Sequence, residues 1–291
     1  MQLVLLGTGC PLPAVNRCGG GQLVIAGEET ALVDCGPGIM RRIYELNISP
    51  ASIGTVFLTH LHSDHITDFA DLLVSGWIRG RSRPLVVYGP AGTRDTIEGF
   101  RAALAADRRY RIDHHGEKLP ADGAACDVRE VEATDDARRI AAVGDMEVDA
   151  FLVDHRPVWP AFGFRFRRSG RTIVFSGDTR RCDALVRAAQ DADIFVCEAL
   201  HHGLLGAVIE RQRQAGLTAQ ATMLTEAMEY HIASLEVAEV AHDARVKHLV
   251  LSHLIPPIPD EGPLVDAFIA GMREIYGGTM TVGHDTQRFE C

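Results

Sequence analysis

Lysine is almost missing from this chain. Only Lys118 and Lys247 stand among its 29 basic residues, against 39 acidic ones, for a formal net charge of −10 over 291 residues. No lysine-rich patch can form, and a surface that attracts polyanions overall is not expected. On charge, nucleic acid is therefore not an expected partner, unless arginines group locally. No run of 18 apolar residues occurs, so no membrane span is expected. The opening MQLVLLGTGC is too short an apolar run, broken at Gly7, to read as a signal peptide, which makes the cytoplasm the expected location. The seven cysteines are odd in number and follow no repeating spacing. They read as free thiols in a reducing compartment rather than a disulfide framework.

What is present is ordinary globular chemistry, 46% hydrophobic and 23% charged, on a chain long enough to bury a sizeable core. Leu3–Leu6, Gln22–Ala26 and Thr30–Val33 are β-rich runs separated by glycines, and Thr55–Thr59 and Leu85–Tyr88 are further strands. Arg41–Leu46, Thr67–Ile78 and residues 91–106 have helical patterns. The second half repeats the scheme: a hairpin of Phe162–Arg167 and Thr172–Phe175 around Ser169-Gly170, strands Ile194–Cys197, His248–Ser252 and Met280–Val282, and helices Asp183–Gln190, Leu235–Ala244 and Pro263–Ile275. Alternating strands and helices with hairpins predict α/β with mixed sheets. Residues 107–147 are polar and outside this rhythm, and 203–230 read as a helical insertion. No low-complexity or Pro-rich linker divides the chain, so residues 1–291 are expected to form a single domain.

The densest chemical signal is Thr59-His60-Leu61-His62-Ser63-Asp64-His65, four candidate ligands in six residues just past an apolar strand. Chain leaving a strand is extended, so His60 and His62 can point the same way. A turn then lets Asp64 and His65 face a second position. Imidazole with carboxylate suits zinc or a similar divalent ion, and two adjacent sets suit two ions.

This segment resembles the signature of the metallo-β-lactamase superfamily, and nearly the whole chain follows that family's order. His155 in Val153-Asp154-His155-Arg156-Pro157, Asp178 in Ser176-Gly177-Asp178-Thr179 and His253 in Leu251-Ser252-His253-Leu254 match its later ligands. The resemblance implies an αββα sandwich of two mixed β-sheets flanked by helices. It also implies two zinc ions per chain (Mn2+ or Fe2+ in their place). His60, His62 and His155 would hold one ion and Asp64, His65 and His253 the other, with Asp178 bridging. Asp34, in Val33-Asp34-Cys35-Gly36, matches a position where the family often has a carboxylate that orients a ligand histidine; capping a turn is the other reading. Two dications beside Asp64 and Asp178 can bring the pKa of a bridging water to about 7, making a metal-bound hydroxide that Asp64 aims.

Within the family, Leu5–Gly9, Tyr88-Gly89-Pro90, Pro160–Phe166 and His231-Ile232-Ala233-Ser234 resemble the ribonuclease Z and metal-dependent arylsulfatase branch. Glu198, in Val196-Cys197-Glu198-Ala199-Leu200, and His231 match a glutamate that orients a proton-donating histidine, with Cys197 and Leu200 where that stretch has histidine and threonine. The ribonuclease's Pro-x-Lys-x-Arg-Asn loop has no counterpart here. With the negative charge, this points to an arylsulfatase-like hydrolase of a small ester-like or aryl substrate. The alternatives are a ribonuclease Z-type phosphodiesterase, a lactonase or hydrolytic aryl dehalogenase, and a metal-binding sensor without activity. Dimerisation is common in this branch, so a homodimer is possible by the same resemblance. Residues 203–230 lie between Glu198 and His231 and suggest a helical lid over the pocket, or else a plain packing insertion. His201-His202, Trp77, Trp159 and Arg108–Arg111 are further residues that a substrate could meet.

Overall fold

The computed structural model describes residues Met1–Cys291. Its first six strands are β1 (Gln2–Gly7), β2 (Gly21–Ala26), β3 (Glu29–Val33), β4 (Thr55–Phe57), β5 (Leu85–Gly89) and β6 (Cys126–Glu130). The next seven are β7 (Arg138–Val143), β8 (Met146–Val153), β9 (Ala161–Arg168), β10 (Arg171–Phe175), β11 (Ile194–Leu200), β12 (His248–Ile255) and β13 (Thr279–Val282), and β14 (Arg288–Glu290) comes last. They form two seven-stranded sheets, in the orders β14-β1-β2-β3-β4-β5-β6 and β13-β12-β11-β10-β9-β8-β7. Each is mixed: β1 to β3 and β7 to β10 pair antiparallel, while β3 to β6 and β10 to β13 pair parallel.

The layers follow from strand periodicity. On β1, Leu3 and Leu5 enter the core between the sheets, whereas Val4 and Leu6 face the outer helices. On β11, Ile194 and Val196 face inward while Phe195, Cys197 and Ala199 face out. Both faces are covered, so these strands read as unbroken apolar runs rather than alternating ones. Phe162, Phe164 and Phe166 share the inner face of β9, and Phe57 meets Phe164 and Phe166 at ring separations of 5.5 and 5.4 Å. Helices α1 (Ile39–Glu45), α2 (Ser63–Ile66), α3 (Phe69–Ile78), α4 (Thr93–Ala103) and α5 (Ala105–His115) accompany the first sheet in sequence, and α1, α3 and α4 bury side chains on it. The second is covered by α6 (Asp183–Ala188) and by α9 (Ser234–Asp243), α10 (Pro263–Phe268) and α11 (Met272–Ile275); α7 (His202–Gln214) and α8 (Thr218–Ala227) form a pair to one side. This is the αββα sandwich.

Several local expectations change. Residues 107–147, expected to stand outside the rhythm, contain most of α5 and the strands β6 and β7. Both strands are at sheet edges, where one exposed face admits charged residues and hides the apolar pattern. The single helix expected over Pro263–Ile275 is two, parted at Gly271, whose φ of 81° no helix continues through. The pair α7–α8 buries Leu205, Ile209 and Ala221 against Leu200 and Ile255 at the ends of β11 and β12. Its apolar face is thus used in packing on the body, and Met223 points out to solvent.

Arg81 gives a test of stability remote from the site. It is buried without an ion-pair partner, and its guanidinium donates to the carbonyls of Leu72, Leu73 and Gly123, tying the end of α3 to the turn before β6. Burial lowers its pKa to about 10, so it remains charged at neutral pH. Arg81→Ala is expected to cost about 2–4 kcal/mol, since buried carbonyls lose a charged donor. The readout is a lower urea midpoint at unchanged slope; a shift under about 0.5 kcal/mol would mean that water replaces the donor.

Candidate metal centre

The parallel strands β3, β4, β10, β11 and β12 deliver their C-terminal ends to one edge of the sandwich, the usual place for a site in such sheets. Past β4, the backbone N–H of Thr59 donates to Asp34 Oδ1 at 2.8 Å, which keeps the chain extended through His60. Leu61 packs outward, while His60 and His62 face the same way, His60 Nε2 lying 2.9 Å from His62 Nδ1. His62 then precedes α2, whose single turn carries Asp64 and His65. That turn sits close against neighbouring backbone: a Cβ on Gly36 would come 2.0 Å from the Asp64 carbonyl oxygen, so only glycine fits.

His155 arrives just past β8, and His253 is an extra residue on β12. Glu198 pairs with Ser252 but Ala199 with Leu254, which leaves His253 as a bulge with φ 45°. The bulge aims its ring inward rather than along the ladder. The donor atoms of His60, His62 and His155 lie within 4.8 Å of one another, as do those of Asp64, His65 and His253. Asp178 reaches both sets: its Oδ2 is 3.9 Å from His60 Nε2 and 3.4 Å from both His65 Nε2 and His253 Nε2. All are buried except His62, which stands at the mouth.

These residues fit divalent ions. His65 Nε2 and His155 Nε2 are buried without any hydrogen-bond partner, a costly state for an imidazole nitrogen unless a cation takes it. Three of the rings are also held from behind through Nδ1: His65 by Asp34 at 2.8 Å, His60 by Thr59 Oγ1 at 3.1 Å and His155 by the Tyr230 carbonyl at 3.1 Å. Such outer partners fix the tautomer and turn Nε2 toward the cage. Asp34, at φ 57°, thus does two things at once, capping the Thr59 turn and orienting His65. The roles of Thr59 and Tyr230 were not anticipated; Tyr230 acts through a backbone carbonyl, which no side-chain motif reveals.

Electrostatics in the cage are set by burial against neighbouring charge. Burial drives His60 well below its ordinary pKa and His155 down to about 4. It also pulls on His65 and His253, but Asp178, helped by Asp34 on one ring and Asp64 on the other, outweighs it and raises both. Burial would raise Asp178, yet His253 and His65 hold it well below the carboxylate range. The cage gathers carboxylates and imidazoles close enough together to be able to hold metal ions.

At its edge lies a second buried pair, Glu198 and His231. Glu198 Oε2 is 2.7 Å from His231 Nδ1, and its Oε1 accepts the Thr179 N–H. A bridge between Leu200 and Ala233 clamps the chain around His231 to the end of β11. A ring nitrogen of His231 lies within 4.8 Å of donor atoms of Asp178 and His253. Burial raises Glu198, with Asp178 adding to it, and lowers His231.

A family model described as "Beta-lactamase superfamily domain" matches residues 29–254. The chain belongs to the metallo-β-lactamase superfamily. Within it, the chain is 33% identical to a ribonuclease Z of Mycobacterium bovis (strain BCG / Pasteur 1173P2), over all of this chain and 98% of that protein. It is 36% identical to a ribonuclease Z of Mycobacterium sp. (strain KMS), over 89% and 85%. Among solved structures, the short form of human tRNase Z superposes with a TM-score of 0.71 at 21% identity, covering 100% and 99% of the two chains. A metallo-β-lactamase fold protein of Bacillus subtilis gives the same TM-score at 18% identity, again over 100% and 99%.

The chain is a metal-dependent hydrolase of this superfamily. The expectation that nucleic acid is not a partner is overturned by these relatives, which are named for action on RNA. Its weakness is physical: net charge averages over the whole surface, whereas phosphate is met by a few local groups. No relative named here supports the arylsulfatase-like reading. No helix is long and apolar enough to cross a membrane.

Proposed function

We propose that this chain is a zinc-dependent phosphodiesterase of the ribonuclease Z type, a single domain acting on precursor transfer RNA. His60, His62 and His155 hold one ion and Asp64, His65 and His253 the other, with Asp178 shared. A set of imidazoles and carboxylates suits zinc. When bound, the ions supply Lewis acidity at the phosphoryl oxygens and a water of lowered pKa.

The observation that carries this reading is the buried Glu198–His231 pair at the cage edge. Aryl esters and sulfates leave as stable phenolates and need little help from an acid. A ribose oxygen leaves as a strongly basic alkoxide and needs a proton as the P–O bond breaks. His231 donates that proton from Nε2, while Glu198 holds Nδ1 and offsets the ring's positive charge. Asp64 accepts a hydrogen bond from the attacking water and sets its line of approach. His62, at the mouth, is the ligand nearest to arriving substrate.

The test is turnover of precursor transfer RNA carrying a 3′ trailer, beside a panel of aryl sulfates, carboxylic esters and phosphodiesters, in low salt where polyanion binding is strongest. Specific cleavage at the 3′ side with slow aryl sulfate hydrolysis is expected. Fast aryl ester turnover without RNA cleavage would reject the assignment.

A further inference from the structure

A second concavity lies beside the cage, not in it. It is a groove of about 500 Å³ at the start of β9, against the first residues of α6. Trp159 forms one wall and is 57% exposed, whereas the other tryptophan, Trp77, is buried with its indole N–H on the Pro120 carbonyl. Arg156 and Arg180 both grip Asp154, at 2.7 Å each. One carboxylate thus carries two guanidiniums, and their remaining N–H groups stay free to bind.

The groove and the cage share a backbone. Asp154 and Arg156 flank His155, and Arg180 lies two residues past Asp178. The Arg180 N–H donates to the Asp154 carbonyl at 2.8 Å, locking the two segments together. The groove therefore borders the segments that carry two of the cage residues, His155 and Asp178. Arg187 and Asp183 also line the groove, a donor and an acceptor. An open indole face with donors and acceptors around it matches a nucleobase, which offers a π face and hydrogen-bonding edges.

We propose that this groove holds one unpaired nucleotide of the RNA next to the cleaved bond. Its base stacks on Trp159, and its phosphate rests on Arg156 and Arg180. The inference depends on the ribonuclease reading for its ligand, and it assigns Trp159 to substrate binding rather than to the chemical step.

Two measurements on the metal-loaded enzyme test it. Binding of a 2′-O-methylated hexanucleotide, which cannot be cut, is followed by tryptophan fluorescence; quenching is expected because only Trp159 is open to a base. Kinetics on precursor transfer RNA come next. Trp159→Ala is expected to raise KM about tenfold with kcat within about twofold, the usual scale for a lost base–aromatic stack, and Trp159→Phe to restore most of the loss. Arg156→Ala should raise KM and flatten its salt dependence by about one phosphate contact. No quenching together with an unchanged KM would overturn the proposal. So would an equal loss on bis(p-nitrophenyl) phosphate, too small to span cage and groove. A change of oligomeric state in Trp159→Ala without quenching would give the groove to a second copy of the chain and likewise overturn it. Quenching in an enzyme that leaves precursor transfer RNA uncut would sink the ribonuclease reading and leave the groove standing; cleavage without quenching or a KM change would sink the groove alone.

Discussion

Asp178→Ala is expected to lower hydrolysis by about a thousandfold or more and to weaken both metal positions, because one carboxylate oxygen faces both ligand sets. Its Oδ2 lies 3.4 Å from His65 Nε2 and His253 Nε2, and 3.9 Å from His60 Nε2. Without it, three inward-facing imidazoles lose their shared counter-charge, and several kcal/mol of Lewis-acid stabilisation go with the displaced ions. His155→Ala gives the contrast. His155 sits only with His60 and His62, so this variant should keep one tightly held ion and lose the other. Elemental analysis of both variants, purified without chelator and normalised to folded protein, provides the check. Equal and mild losses in the two would refute the shared role of Asp178.

The second large effect concerns His231. If its ring protonates the leaving oxygen, His231→Ala should slow substrates with poor leaving groups by about 10²–10⁴-fold. Nitrophenolate esters, which leave without a proton, should slow far less, and metal content should hold. Glu198→Gln should show the same dependence on leaving group, more weakly, since Glu198 acts only through His231 Nδ1 at 2.7 Å. A loss of tenfold or less (the same for every leaving group) would make His231 a structural residue.

The site was more legible in the sequence than the surface around it. His60, His62, Asp64 and His65 sit within six consecutive residues, an extended stretch followed by one turn, so their convergence is a local property of the chain. Asp34, His155, Asp178, Glu198, His231 and His253 were anticipated because they follow a family order, and the structure brings them to the same edge. Charge misled, because −10 is a sum without positions. Local groupings such as Arg156 and Arg180, both tied to Asp154, are invisible in that total.

By itself the sequence determined the alternation of strands and helices and the His60–His65 cluster, since each depends on neighbours a few positions apart; the two-sheet sandwich and the later ligands came with the family resemblance. The edge strands β6 and β7 escaped it, because a half-exposed strand need not show an apolar pattern. Only the tertiary structure decided which groups stand behind the histidines: Asp34 against His65 across 31 positions and the Tyr230 carbonyl against His155 across 75. It also decided that His253 faces the cage, through a one-residue bulge whose existence depends on pairing with β11. Contacts of that kind are set by strand register and by the packing of distant segments, and a local stretch of chain carries no information about either.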